Sequence, residues 1–386
     1  MALTESPVRA RARIRTTLLL VVAVAVVALP FIHRVTSKMP DFAVYWTAAN
    51  RASHAEPLYR AEDGHYQFKY LPAFAVLTIP LGTVPLETAK VIWFFTSIAL
   101  LMVLLAVSVR LLPERRRPAW VLVTLTLAVM AKFYGHELVL GQMNLLFGVA
   151  ATAGALAAIN GREAAAGALT ALAIVVKPYA VIFLPWLVAR RRLTSMAVAG
   201  LGCAFILALP SLRYGVHGTI QLHEEWWMTV TASTTPNLTN ADNVSIAAMW
   251  AKWIGAGRVA TGLTAVTSAI ALVLAATVLG RRKGLRAPEG LECAFLLTLI
   301  PLLSPQGWDY VFLISTPAIM LLVNYDDLIP RTAQILTRFA LATIALSLYD
   351  VMGRSAYGVF MSLSIITVCY FVVAGGLYVL RARAIA

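Results

Sequence analysis

Long apolar runs, most of them closed at one end by a short basic cluster, recur along the chain from Leu18 to the C-terminus. A membrane-crossing helix needs roughly 20 mainly apolar residues. Runs of that kind predict helices over 16–33, 86–110, 118–134, 143–160, 163–176, 178–189, 193–211, 258–280, 290–304, 309–323, 331–349 and 356–380. The expected fold class is thus an all-α polytopic membrane protein of about twelve transmembrane helices. The stretch around Lys177-Pro178 could be one helix or two. A single helix would put Arg162 and Arg190 on opposite sides of the bilayer, so two short helices meeting at Lys177 are expected.

Two long stretches break the apolar pattern, 34–85 and 212–257, and are expected to be external loops. Within the first, 42–52 reads as a short amphipathic helix. Residues 71–81 are too few to span and are flanked by Pro72, Pro80 and Pro85, so they are expected to lie in the interface. The second carries Trp226, Trp227, Trp250 and Trp253, rings suited to headgroup depth. No internal repeat or low-complexity linker divides the chain, and 1–386 reads as one integral membrane domain.

Composition agrees with the pattern: 60% of residues are hydrophobic and 13% charged, with a mean hydropathy of +0.78. Soluble domains carry about 25% charge. The net charge of +14 sits in short clusters between apolar runs rather than on a continuous face, which argues against nucleic acid. The clusters at Arg9–Arg15, Arg110 with Arg115–Arg117, Arg190–Arg192, Arg281–Lys283 with Arg286, and Arg381 with Arg383 all favour the cytoplasm. Both termini are then cytoplasmic. Pro30-Phe31-Ile32-His33 offers no small-residue cleavage site after the first apolar run, so that run is expected to stay as a helix. Cys203, Cys293 and Cys369 fall in apolar runs without a pairing motif and read as packed thiols.

Polar side chains are costly inside a bilayer, so their placement is informative. On this topology Asp41, His54, Glu56, His65, Lys69, His136, Glu137, Gln142, Lys177, His223, Asp242 and Asp309 gather at the outer side. A proton-coupled transporter would place ionisable groups near the midplane instead. Asp41 follows the first helix at the membrane surface, where a carboxylate can take a proton from a substrate hydroxyl; it can equally cap the helix that follows. Lys69 can hold a lipid phosphate or snorkel. Lys177, between two apolar runs, calls for a polar cavity or an anionic ligand, since a bare ammonium there costs several kcal/mol. The histidines lack metal-ligand spacing, and no nucleotide-binding glycine loop is present, so no metal, cofactor or nucleotide is expected.

In that outer-side set the chain resembles glycosyltransferase family 87 of the GT-C superfamily, typified by polyprenyl-phosphate-mannose-dependent mannosyltransferases. The resemblance rests on Asp41 followed by Tyr45, Pro57-Leu58-Tyr59, Phe68-Lys69-Tyr70-Leu71-Pro72, Leu140-Gly141-Gln142-Met143-Asn144, Lys177-Pro178, Asn243-Val244-Ser245, and Leu303-Ser304-Pro305 leading to Trp308. It covers roughly residues 40 to 325 and implies a GT-C-type bundle with interfacial helices in the first external loop. It further implies a sugar donor on polyprenyl phosphate and a lipid or glycan acceptor at the outer face of a bacterial inner membrane. Transfer would invert the anomeric centre, with Asp41 as general base. Lys69, Lys177 and Tyr70 would attend the donor phosphate. Tyr45, Tyr59, His136, Gln142, Asn144, Asn243, Ser245 and Trp308 would contact substrate. Mannosyltransferases of this family carry histidines after the Ser-Pro and tryptophan; here Asp309 and Tyr310 stand there, either taking over that polar role or marking a different acceptor. A transporter or flippase for a lipid-linked or small polar substrate is the rival reading, and a non-enzymatic envelope scaffold a third.

Overall fold

The computed structural model describes residues 31–285 and 287–385. The predicted first helix, 16–33, lies almost wholly outside the described residues, which are helical over 31–36. The protein is all-α; among the described residues the sole extended pairing is an isolated antiparallel bridge between Asn243 and Trp308.

The order of α-helices is α1 Pro40–Ser53, α2 Pro72–Leu77, α3 Ile79–Gly82, α4 Leu86–Arg110, α5 Ala119–Leu140, α6 Asn144–Ile159, α7 Glu163–Val176, α8 Phe183–Ala189, α9 Leu193–Ala208, α10 Ser211–Asn237, α11 Ile246–Ile254, α12 Arg258–Gly280, α13 Glu289–Leu303, α14 Thr316–Asn324, α15 Arg331–Leu346, α16 Tyr349–Ser362 and α17 Ile365–Ala382. Proline sets several starts: Pro85, Pro118, Pro288 and Pro330 stand directly before α4, α5, α13 and α15. Its fixed φ suits a helix start, where its missing N–H costs nothing.

Four helices, α4, α5, α12 and α17, are long and apolar enough to cross a membrane, and up to six crossings result if the bent pairs α9–α10 and α15–α16 each count as one. The pattern of about twelve runs maps onto more helices than that because many are short. At 1.5 Å per residue, α6 and α7 are about 24 and 21 Å long, less than a hydrocarbon core of about 30 Å.

Four expectations change. The predicted helix 118–134 continues to Leu140, because nothing before Gly141 breaks it, and so takes His136 and Glu137 onto a helix. The expected loop 212–257 is largely helical: α9 turns by 88° into α10, and α11 follows. The run 331–349 ends at Leu346 and turns by 105° into α16. The run 356–380 is divided at Ser364, whose left-handed φ of 54° separates α16 from α17. Residues 71–81 form α2 and α3, and Ala73, Phe74 and Ala75 of α2 pack into the protein core, so this segment is covered by protein on one face.

The reversal at Lys177 is present. Lys177 is extended, with φ −144° and ψ 110°, and a 3-10 turn over Pro178–Ile182 leads into α8. The return brings Arg192 Nη1 within 2.6 Å of Glu163 Oε1, so the start of α7 and the end of α8 lie at one end of the molecule. Other basic clusters join them there. Glu292 Oε2 is 2.9 Å from Arg190 Nε, and Glu292 Oε1 is 3.1 Å from Arg282 Nε and 3.8 Å from Arg381 Nη1. Arg116, just after α4, pairs with Asp327 at 2.7 Å. Residues of α13 are buried from Gly290 to Leu302, making it the central strut around which the other helices pack.

Candidate active site

The opposite end of α6 and α7 carries the polar centre. Three breaks in helical structure build it: the step between the short helix 31–36 and α1, the turn between α5 and α6, and the reversal at Lys177. At the first, Met39 adopts a left-handed φ of 41° and Pro40 begins α1, placing Asp41 in its first turn. At the second, Gly141 caps α5 with φ 70° and ψ 36°. A Cβ at Gly141 would sit 2.6 Å from the Cβ of Phe42, so both its backbone and its contact with α1 require glycine.

Gln142, next in the chain, joins the elements. Its Nε2 donates to Asp41 Oδ2 at 2.6 Å and to the Tyr310 hydroxyl at 3.3 Å. Its Oε1 accepts from the hydroxyls of Tyr45 at 2.9 Å and Tyr70 at 3.2 Å. The two tyrosine hydroxyls are 3.0 Å apart and their rings meet edge to face. Lys177 places its ammonium 4.6 Å from the centre of the Tyr70 ring, a cation–π contact. Asp41, Tyr45, Tyr70, Gln142, Lys177 and Tyr310 therefore form one connected group. Lys69 and exposed His65 lie within electrostatic reach of Asp41.

Asp41 is half-buried. Burial pushes its carboxyl above the usual carboxylate range, and the Gln142 hydrogen bond with the charges of Lys177, His65 and Lys69 partly offsets this. Burial lowers the Lys69 ammonium, against the pull of Asp41. A carboxylate whose pKa is raised is a stronger base than an unperturbed one, and Asp41 keeps an opening to solvent.

A second polar group adjoins the first through Tyr310. Asp309, 1% exposed, holds Lys132, 2% exposed, at 3.0 Å, and His136 Nδ1 lies 3.2 Å from its carboxylate. His136 itself is 38% exposed. Lys132 was not singled out in the sequence, although a lysine near the end of the apolar run 118–134 was the available signal. Glu137 accepts from Asn144 Nδ2 and the Leu145 amide, each at 2.9 Å, and is fully buried.

Several expected substrate contacts are used inside the protein. Asn144 is fully buried against Glu137. Asn243 donates to the carbonyls of Asn237 at 3.0 Å and Pro305 at 2.9 Å, and its Oδ1 accepts from the Ser245 amide at 3.1 Å. Ser245 caps α11 by accepting from the Ala248 amide at 3.1 Å. Trp308 bridges to Asn243, and the Val244 amide donates to the Gly307 carbonyl at 2.7 Å. Asn243, Ser245 and Trp308 thus lie in a clamp beside Asp309 and Tyr310, in which both amide hydrogens of Asn243 are engaged by backbone carbonyls. Gly307 fits there because a Cβ would lie 2.2 Å from the Pro301 carbonyl. Tyr59 donates to the Tyr70 carbonyl at 2.7 Å and supports the site from behind. Among the described residues no three His, Cys, Asp or Glu side chains gather as metal ligands.

A sequence model of glycosyltransferase family 87 matches residues 68–305. The matched stretch holds Lys69, Tyr70, His136, Gln142 and Lys177; Asp41, Tyr45 and Tyr310 lie outside it and meet it through Gln142. No curated protein and no solved structure matches the chain significantly.

Proposed function

The chain belongs to glycosyltransferase family 87 and is a membrane glycosyltransferase, and on that premise we propose that it moves a sugar, mannose by the family resemblance, from polyprenyl phosphate to a hydroxyl of a lipid or glycan. The observation that carries this reading is one half-buried carboxylate, Asp41, fixed by Gln142 and faced by two lysines from separate elements. Asp41 takes the proton of the acceptor hydroxyl. The freed oxygen bonds to the anomeric carbon from the face opposite the phosphate. The bond from that carbon to the phosphate oxygen breaks, its electron pair goes to the lipid phosphate, and the anomeric configuration inverts. Lys69 and Lys177 meet the charge that grows on that leaving group, the point at which fixed cations lower a barrier most. Tyr45, Tyr70 and Tyr310 fix the amide of Gln142, and so the carboxylate. No metal or cofactor enters the scheme; the lipid-linked sugar is the co-substrate.

We place the protein in a bacterial inner membrane as a GT-C-type polytopic bundle, with the basic end cytoplasmic and the Asp41 end outside. The α4, α6 and α7 termini give the two ends their separation.

Purified protein, supplied with polyprenyl-phosphate-mannose and extracted membrane lipids, should yield a mannosylated product by mass spectrometry. Asp41→Asn should lower transfer by roughly 10²- to 10⁴-fold, the range of general-base catalysis. Transfer at the wild-type rate by that variant removes Asp41 from the mechanism. Absence of transfer from every lipid-linked donor, with substrate instead crossing liposome walls, would replace the reading with a transporter.

A further inference from the structure

At the basic end, α4, α6 and α7 line a half-open cavity of about 540 Å³ unrelated to the Asp41 group. Its walls are apolar, with Val107 from α4, Leu156 and Ala157 from α6 and Leu169 from α7. Its rim holds Arg110, the last residue of α4, with Asn160 and Arg162 from the turn between α6 and α7. No acidic residue lines it. The nearest acid in sequence, Glu163, is already engaged by Arg192 and Ser195. Among the described residues, neither the Arg110 nor the Arg162 guanidinium has an ion-pair or side-chain hydrogen-bond partner.

Two guanidiniums and a carboxamide above an apolar slot match one kind of molecule: an anionic group on a hydrocarbon chain. Guanidinium forks bind phosphate oxygens in pairs, and basic pockets between membrane helices at the cytoplasmic side take phospholipid headgroups. A free phosphate would leave the apolar wall unfilled, and a neutral lipid would leave both cations unanswered.

We propose that this cavity is a binding site for an anionic phospholipid, its phosphate held by Arg110, Arg162 and Asn160 and an acyl chain lying along Leu156, Ala157 and Leu169. The site is at the far ends of the two helices that carry Asn144 and Lys177, about 21–24 Å from the polar centre by helix rise. Occupation would brace α6 against α7 and α4, and so steady the turn that holds Gln142. The proposal does not depend on the sugar-transfer reading.

The test uses the whole protein in nanodiscs of phosphatidylcholine with or without phosphatidylglycerol, with lipid retention read by native mass spectrometry and melting temperature read in parallel. Wild type should keep one phosphatidylglycerol under conditions that strip phosphatidylcholine, and melt higher in its presence. The double variant Arg110→Gln with Arg162→Gln should hold phosphatidylglycerol roughly tenfold more weakly or worse, since each surface arginine contributes about 1 kcal/mol to an anionic lipid. Ala153→Leu, which narrows the cavity and keeps its charge, should also lose retention. Arg115→Gln with Arg331→Gln removes the same charge outside the cavity and should change nothing. Equal retention of phosphatidylcholine, equal loss in the Arg115 and Arg331 control, or full competition by inorganic phosphate would each overturn the proposal. These outcomes are read without sugar transfer, so a failure here is distinct from a failure of the enzymatic reading.

Discussion

Gln142 and Lys177 act on the same carboxylate by different means, and the difference is measurable. Asp41 must be ionised to take a proton, so activity falls as pH drops through its pKa. Burial raises that pKa, which places the acid limb of kcat/KM above the ordinary carboxylate range. Lys177 pulls the pKa down through its charge, so Lys177→Met should move the acid limb to higher pH while also lowering kcat. Gln142→Leu removes the hydrogen bond that favours the ionised form and leaves Tyr45 and Tyr70 without their acceptor. It should move the limb the same way. A pH profile unmoved in both variants would show that the carboxylate titrating in that limb is not Asp41. Lys132, His136 and Asp309 form a separate group, so Asp309→Asn should leave the position of that limb nearly unchanged.

Among the elements, the α5–α6 turn carries the most constraint for its size. Gly141 is held in the left-handed region and packs on Phe42 of α1. Gly141→Ala should cost about 1–3 kcal/mol from the strained backbone alone, seen as a lowered melting temperature. It should also reduce kcat, because the added methyl pushes α1 and Asp41 away from Gln142. Unchanged activity in a destabilised variant would separate the turn from the site. The sequence pattern ended this helix at 134, six residues short of Leu140 and the turn that Gly141 makes. It did not show that His136 and Glu137 remain helical, because the polar residues near the end of that run resemble the start of a loop.

For the molecule as a whole, Arg116, Arg190, Arg192, Arg282 and Arg381 are all engaged in ion pairs, and the clusters of Arg190, Arg282 and Arg381 meet at one acid, the arrangement the proposed sidedness calls for. Glu292 is the fully buried acid among three of those arginines. Glu292→Gln should destabilise the protein by about 3–5 kcal/mol, the usual consequence of removing one partner of a buried ion pair; thermal unfolding checks this. Sidedness is checked by cysteine labelling in a Cys203→Ser background. Tyr66→Cys, exposed near Asp41, should react with an impermeant maleimide applied to intact cells, and Arg115→Cys after permeabilisation alone. The reverse pattern would invert the proposed topology.

Local chemistry determined much of this protein by itself. Apolar runs, prolines and glycines located most helices, and basic clusters sorted their ends, because burial and charge act on each segment separately. The reversal at Lys177 was legible for the same reason: the arginines on either side demanded it. Asp41, Tyr70, Gln142 and Lys177 could be selected as candidates, but their connection could not, since it depends on hydrogen bonds between residues up to about a hundred positions apart, such as Asp41 and Gln142. Tertiary structure alone decided that Asn243 donates to the Pro305 carbonyl, which a distant segment brings in. It decided too that α9–α10 and α15–α16 bend, and that Arg110 and Arg162 share one cavity. Those are matters of which surfaces meet, and an apolar residue reads alike whether it faces lipid or another helix.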